Sequence, residues 1–595
     1  MRPSAAVLLL LLQLACAGPA RWREPLESAP NVDAAAWSAD AAWLSDPARE
    51  GRGLGSAGLG AAARFLAERF AEVGLEPGAP GGGFLQSFRM PVSIDVSEQR
   101  LTLGGELLSP GRDFQALLAS ESGHFAGEVV FAGYGISDAA SGWDDYAWVP
   151  EGAIVLVLEG RPHAPGFEEP RGPALARRSL KLLNARQRGA RAVLIAPSLD
   201  GPGDLAPEDP MSALPTRQSA GVIALTLSRD AAERLAARGG HDLAGLVQRA
   251  EARAPVDLAG ARVAGAVRVT RHETEVSNVI GRLEGSDPAR AGEQIVIGAH
   301  YDHLGYGAFG SMRPEARGEV HPGADDNASG AAGLIALARA FASGPRPART
   351  LVFVAFTAEE AGLLGSARYV ETHRDTVSMV NLDMIGRLRE GIVTAFGADT
   401  ALAFEDLVTR AAARRALAVT FADGTHGPSD HASFQGASIP ALFFTTGAHE
   451  AYHTPDDRAE TLEPAGAARV LGLAADVTLA LANAAQAPRF AAAAPAPHEP
   501  ATGEVGYGPY LGTVPAFGNA GAAGAHIAAV RPGSPADRAG LTAGDVIVSF
   551  GGSQVASLED FAALLFAQRE GSEVEIVVLR AGERIETRAV LGRRR

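Results

Sequence analysis

Apolar residues recur along this chain with two different periods. Over 61–74 (AAARFLAERFAEVG) they fall at helical spacing and stop at Gly74, a residue that ends helices. Further on, apolar runs too short for helices alternate with helical stretches. The pattern predicts strands over 294–299, 350–356 and 378–383, and helices over 329–342 and 361–373. That alternation implies an α/β fold over 270–487, a mixed but mostly parallel sheet with helices on both faces. Residues 41–122 contribute an N-terminal part to the same domain. A second, β-rich module spans 123–260, with strand-like runs at 127–133, 153–158, 190–195 and 222–227 and a helical stretch at 179–189. The Ala/Pro segment PRFAAAAPAPHEP opens a linker over 488–504, and 505–595 forms a compact β-rich C-terminal domain.

At 595 residues the chain exceeds what one core usually holds, in keeping with this division. Its 47% hydrophobic and 21% charged residues are ordinary for a globular protein. A net charge of -16 argues against a nucleic-acid partner, which would favour a basic face. Lys181 is the sole lysine and Cys16 the sole cysteine. A chain without further cysteines has no disulfides and no thiolate ligands for zinc.

Cys16 lies in a leader, residues 1–17, with Arg2 followed by an apolar run too short to cross a membrane. Two endings stay open. Ala15-Cys16-Ala17 fits a cleavage site; Leu14-Ala15-Cys16 fits a lipoprotein signal, although Gln13 stands where an aliphatic residue is usual. Either predicts an exported protein, periplasmic or extracellular, with an outer-membrane lipid anchor on Cys16 in the second case. Residues 18–40, rich in Pro and Ala, read as a tether.

The chemistry concentrates in 270–487. His300 (AHYD), Asp325 (GADDNASG), Glu360 (TAEEAG), Asp383 (VNLDMI) and His453 (AYHTPDD) are metal-ligand types that follow apolar runs or sit in Gly-rich turns. Two histidines and three carboxylates hold two zinc ions if one carboxylate bridges them. Ligands in open α/β sheets gather at the carboxyl ends of strands, where His300, the Glu359–Glu360 pair and Asp383 are predicted to lie. Glu359, not needed as a ligand, is free to act as a base. Asp302 is placed to orient the His300 imidazole, and Tyr452 to steady an oxyanion. Asp326 either shapes the turn that holds Asp325 or is solvated. His303 reads as peripheral, and His163 and His241 as surface residues. The loop 306–320 either shapes a specificity pocket or crosses the surface.

The series HYD, GADDNASG, FTAEEAGLLGS, NLDMIG, SDHASF and YHTPDD resembles the co-catalytic di-zinc aminopeptidase family. The resemblance covers about 275–485 and a part around 44–86. It implies two zinc ions with Asp325 as the bridge, His300 and Asp383 on one, Glu360 and His453 on the other, and Glu359 as general base. It also places His431 near the substrate, as a supporting, substrate-facing or surface residue. The implied activity is release of N-terminal residues from peptides. A carboxypeptidase, a single-zinc glutaminyl cyclase and a non-catalytic peptide-binding scaffold are the rival readings. VVFAGYG and ARQRGARAVLI resemble a protease-associated domain, and the C-terminal segment resembles a bacterial PDZ domain. In the latter, Tyr510, Leu511 and Gly512 would bind the carboxylate of a peptide or protein C-terminus.

Overall fold

The computed structural model describes residues 22–491 except 139–140, 169–170, 200–204, 206–218, 255, 257 and 423–428, and residues 509–593 except 516–522 and 531–532. The predicted leader with Cys16, and most of the predicted linker, lie outside the described residues. Two compact units divide the chain: Met1–Ser87 with Val276–Ala496, and Phe88–Glu275 with Pro497–Arg595.

In the first unit the strands run in the order Ala418–Phe421, Ile392–Phe396, Ala441–Thr445, Thr376–Leu382, Gln294–His300, Thr350–Phe356 and the second half of Arg262–Leu283. Gln294–His300 is parallel to both neighbours, with Ile297 opposite Phe353 on one side and Val380 on the other. Every residue of Thr350–Phe356 and of Ala441–Thr445 is buried. Such unbroken apolar runs belong to strands covered on both faces. Helices Gly330–Ser343 and Pro464–Asn483 pack on Gln294–His300, and His431–Gly436 packs on Ala441–Thr445. Pro464–Asn483 is long and apolar enough to cross a membrane, but it is a core helix, and its Asp476 pairs with Arg415 at 2.7 Å.

The helix predicted over 61–74 runs Ala57–Glu72, with the Ser56 hydroxyl capping the Leu59 N–H. The tether expected over 18–40 needs correction. Ala34–Leu44 is a helix, started by the Asp33 carboxylate, which accepts the N–H groups of Ala35 and Ala36. Alanine is the best helix former, and burial of one face then fixes the segment. Its Trp37 is fully buried and donates its indole N–H to the Ser329 carbonyl at 3.0 Å. Before it, the Trp22 N–H reaches Asp406 at 2.9 Å and Arg410 reaches the Trp22 carbonyl at 2.7 Å.

The second unit contains a sheet in the order first half of Arg262–Leu283, Gly123–Phe131, Ile154–Leu158, Ala192–Ala196, Ile223–Leu227, Phe114–Ala116. Its four inner strands are parallel. Helices Arg178–Gln187, Arg229–Arg238 and Leu243–Glu251 accompany them, so the module is α/β rather than simply β-rich. Phe114–Ala116, expected in the first domain, closes this sheet as an antiparallel edge strand on Ile223–Leu227. The C-terminal part of the unit pairs Ala525–Val530, Val546–Phe550, Glu573–Arg580 and Glu583–Val590 as antiparallel neighbours beside the helix Leu558–Ala567.

The only lysine of the chain is fully buried in this unit. The Lys181 ammonium donates to the carbonyls of Tyr134, Leu158 and Gly160, the last two at 2.9 Å. Burial pushes it down from 10.5 to about 8, against the pull of Glu159 and Asp145. Between those two values the unfolded chain keeps the proton and the folded chain releases it, so stability rises with pH across that window. The urea midpoint of the wild type should therefore climb from pH 8 to pH 10, and Lys181→Met should flatten the climb. Equal slopes in the two proteins would remove Lys181 from the account.

Candidate metal centre and active site

Strand ends and loops of the first unit converge on one cavity of about 370 Å³. His300 is the last residue of Gln294–His300. Its Nε2 lies 3.3 Å from Asp326 Oδ1 and 3.5 Å from Asp383 Oδ1. Its Nδ1 faces the Asp302 backbone oxygen at 3.2 Å and the Asp302 carboxylate at 3.8 Å. Asp302 is fully buried, and its carboxylate accepts the Glu359 N–H at 3.1 Å. Burial pushes Asp302 up to about 6.

Asp326 lies in the irregular turn Ala324–Ser329, at the start of the helix Gly330–Ser343. A cis peptide joins it to Asn327. The buried Asp457 carboxylate holds the turn, accepting the N–H groups of Asp325 and Asp326 at 3.0 Å. Gly323 precedes the turn at φ +53, and a Cβ there would lie 2.1 Å from the Asp326 carbonyl oxygen, which excludes any other residue. The second Asp326 oxygen, Oδ2, lies 3.0 Å from His453 Nε2. One carboxylate thus faces both imidazoles. Burial works against its charge, yet His300 and His453 hold it well below the usual carboxylate range.

Asp325, the expected bridge, is turned elsewhere. Its Oδ1 accepts the Gly386 N–H at 2.7 Å and its Oδ2 faces His449 Nε2 at 3.3 Å. Successive side chains in a turn point different ways, and here the second aspartate of the pair faces the cavity.

Glu359 and Glu360 follow Thr350–Phe356 in a tight turn where Ala358 has φ 57 and Leu363 φ 62. Glu360 Oε2 lies 3.4 Å from His453 Nε2, and its Oε1 lies 2.8 Å from His303 Nδ1. Burial and the Asp326 charge push Glu360 up, but His303 and His453 outweigh them and leave it below its ordinary value. Glu359 lines the cavity without being part of the Glu360 group. Burial pushes it well above the carboxylate range; the charges of Glu360, Asp430 and Asp383 add to this and His300 opposes it. Asp383 follows Thr376–Leu382 and is likewise raised by burial. His453 Nδ1 lies 2.9 Å from the Gly310 carbonyl oxygen; since a carbonyl only accepts, Nδ1 carries the proton and Nε2 faces the carboxylates. Burial opposes its charge, but Asp326 and Glu360 raise it to about 11. The loop 306–320 is therefore tied to the centre, and Arg313 pairs with Asp456 at 2.5 Å to hold it there.

Two groups emerge whose ligand atoms lie within 4.8 Å of one another: His303, Asp326, Glu360 and His453, and His300, Glu359 and Asp383. His303, read as peripheral from the sequence, is fully buried between the carboxylates. The fit to zinc is good on two counts. The donors are imidazoles and carboxylates. And His453 Nε2 and Asp383 Oδ1, though buried among polar groups, make no hydrogen bond of proper geometry, as expected of atoms aimed at a shared cation.

The apolar part of the cavity wall is formed by Met384, Phe396 and Phe443. Tyr452 lines it too, its ring stacked on His453 at 3.8 Å. Burial, and then the surrounding carboxylates, raise the Tyr452 hydroxyl, so it stays a donor. His431 does not line the cavity; it is fully buried, with its ring 4.8 Å from the wall residue Phe443. In the second unit, Gly512 has φ +93, and a Cβ there would lie 2.2 Å from the Ser534 side chain. Leu511 is buried and its carbonyl accepts the Ala536 N–H at 2.8 Å; Tyr510 pairs with Gly592.

Residues 278–478 match the model of peptidase family M28, and residues 526–580 match the model of a PDZ domain. The chain is 30% identical over 225 residues to a probable leucine aminopeptidase of Arthroderma otae (strain ATCC MYA-4605 / CBS 113480), covering 32% of this chain and 60% of that protein. It is 32% identical over 182 residues to aminopeptidase YwaD of Bacillus subtilis (strain 168), covering 28% and 36%. It is 39% identical over 116 residues to a probable zinc metalloprotease of Pyrenophora teres f. teres (strain 0-1), covering 19% and 23%. It thus spans at most 60% of the length of these curated relatives. A solved structure titled as the aminopeptidase from Aneurinibacillus sp. strain AM-1 aligns over 79% of this chain and 97% of its own, at 24% identity and a TM-score of 0.46.

Proposed function

We propose that this chain, whose residues 278–478 form a peptidase family M28 domain and whose C-terminal part holds a PDZ domain, is a zinc-dependent aminopeptidase. The carrying observation is the Asp326 carboxylate between His300 and His453, 3.3 and 3.0 Å away, in a cavity with Glu359 in its wall. Two zinc ions would fit there, with His300, Asp326 and Asp383 available to hold one and Asp326, Glu360 and His453 the other. Zinc so held supplies a Lewis acid that polarises a carbonyl and acidifies water.

The protein's own groups do the rest. Glu359 takes a proton from the attacking water and returns it to the departing amine nitrogen. Tyr452 keeps its hydroxyl proton and donates toward the oxygen of the reacting carbonyl. Asp302, through its contacts with His300 and the Glu359 N–H, keeps both in place.

The lining supports aminopeptidase rather than carboxypeptidase chemistry. Among the described residues around the cavity there are carboxylates and imidazoles but no Arg or Lys. Such a wall offers a terminal carboxylate no cationic side chain to pair with. The apolar side formed by Met384, Phe396 and Phe443 suits an apolar first side chain. An aminoacyl-amide panel with matched N-blocked peptides tests this. Hydrolysis should need a free amine, stop with a chelator and return with zinc. Equal cleavage of blocked peptides, or indifference to the chelator, would sink the reading.

We assign the chain to an exported compartment on its leader, with a lipid anchor when Cys16 is retained. The C-terminal domain is assigned to a peptide terminus on Tyr510–Gly512, and 123–260 to a protease-associated role. Cell fractionation of wild type and Cys16→Ser decides the first.

A further inference from the structure

The two halves of the centre differ in how their carboxylates are held, and His303 makes the difference. Its Nδ1 lies 2.8 Å from Glu360 Oε1, a hydrogen-bond length, while Glu360 Oε2 faces His453. The ring is fully buried and packs edge-on to His453, with centroids 5.6 Å apart. The backbone makes room for it. A Cβ at Gly323 would lie 2.4 Å from His303 Cδ2, so the glycine that opens the Asp326 turn also admits this imidazole. On the other half, Asp383 Oδ1 faces His300 Nε2 at 3.5 Å. A separate partner of that carboxylate is the Ser429 hydroxyl, which accepts the Asn381 amide N–H at 2.8 Å.

We propose that His303 is a positioning residue of the metal centre: it donates from Nδ1 to Glu360 Oε1 and so presets Oε2 for the zinc shared with Asp326 and His453. This rests on the zinc reading above. A buried imidazole of fixed orientation leaves Glu360 one rotamer, so that half binds without first ordering its ligand. Removing such a partner usually costs ~10–100-fold in metal affinity.

The test strips the full-length protein with a chelator and titrates zinc against a competing indicator, with cobalt absorption as a second readout. In His303→Ala the affinity of one metal equivalent should fall ~10–100-fold while the other is unchanged. In His303→Asn, whose amide nitrogen can stand where Nδ1 stood, it should return close to wild type. Thermal melts of both apoproteins check that they fold. Two wild-type affinities in His303→Ala would overturn the proposal. Loss in His303→Asn as deep as in His303→Ala would also overturn it, because the imidazole would then be a ligand and not a donor. A wild type that takes up no zinc would instead overturn the zinc reading, and this proposal with it.

Discussion

Glu359→Gln should retain both metal equivalents and lose ~10²–10⁴-fold in kcat, the usual worth of a positioned base. The substitution keeps the shape of the side chain and removes its ability to carry a proton. Glu359 is in the cavity wall, and its backbone N–H is pinned to Asp302 at 3.1 Å, so the replacement has little reason to move. Metal content by mass spectrometry and steady-state rates on an aminoacyl amide are the two measurements. KM should change far less than kcat, because the proton transfer belongs to the transition state. A variant that keeps more than a tenth of wild-type kcat, or one that loses its zinc, would move the base to another residue.

The adjacent aspartates give the second large effect, and they should part company. Asp326→Ala removes the one carboxylate that faces both His300 and His453, so both metal equivalents should weaken and activity should fall to background. Asp325→Ala should leave the zinc in place. Its loss orphans the Gly386 N–H that its Oδ1 accepts at 2.7 Å, a cost of about 1–3 kcal/mol to stability. Parallel metal analysis and thermal melts of the two variants separate the cases. An Asp325→Ala protein that folds normally but emerges without zinc would restore Asp325 to the centre.

That pair also marks where the sequence stops being legible. Strand ends can be read from apolar runs, and His300 ends Gln294–His300 while Asp383 directly follows Thr376–Leu382. Which of two successive aspartates faces a cavity depends on the backbone of one turn, where Asp326 has φ -106 and ψ 95, outside helical geometry. No periodicity carries that information. His303 is obscure for another reason: its partner Glu360 follows a different strand, and only the parallel pairing of Gln294–His300 with Thr350–Phe356 brings them together. The helix Ala34–Leu44 was within reach, since Asp33 is an ordinary helix cap, but its alanines look like linker until Trp37 is seen buried. The inserted module is harder still, because a short apolar run reads alike in a parallel and an antiparallel sheet.

Close to the centre, the fully buried Arg52 donates to the carbonyls of Tyr301, Leu44, Pro322 and Gly323 at 2.7–2.8 Å. Burial lowers it to about 10, and the charges of Asp326, Asp457, Asp302 and Glu360 work to keep its proton. Near neutrality it remains a cation that no chelator can take away. The carboxylate cluster therefore has a permanent counter-ion built into the chain, tied to the same loops that carry His303 and Asp326. Small metal domains collapse when their ion is withdrawn. This one has its socket braced from within by a charge that belongs to the chain and not to the ion.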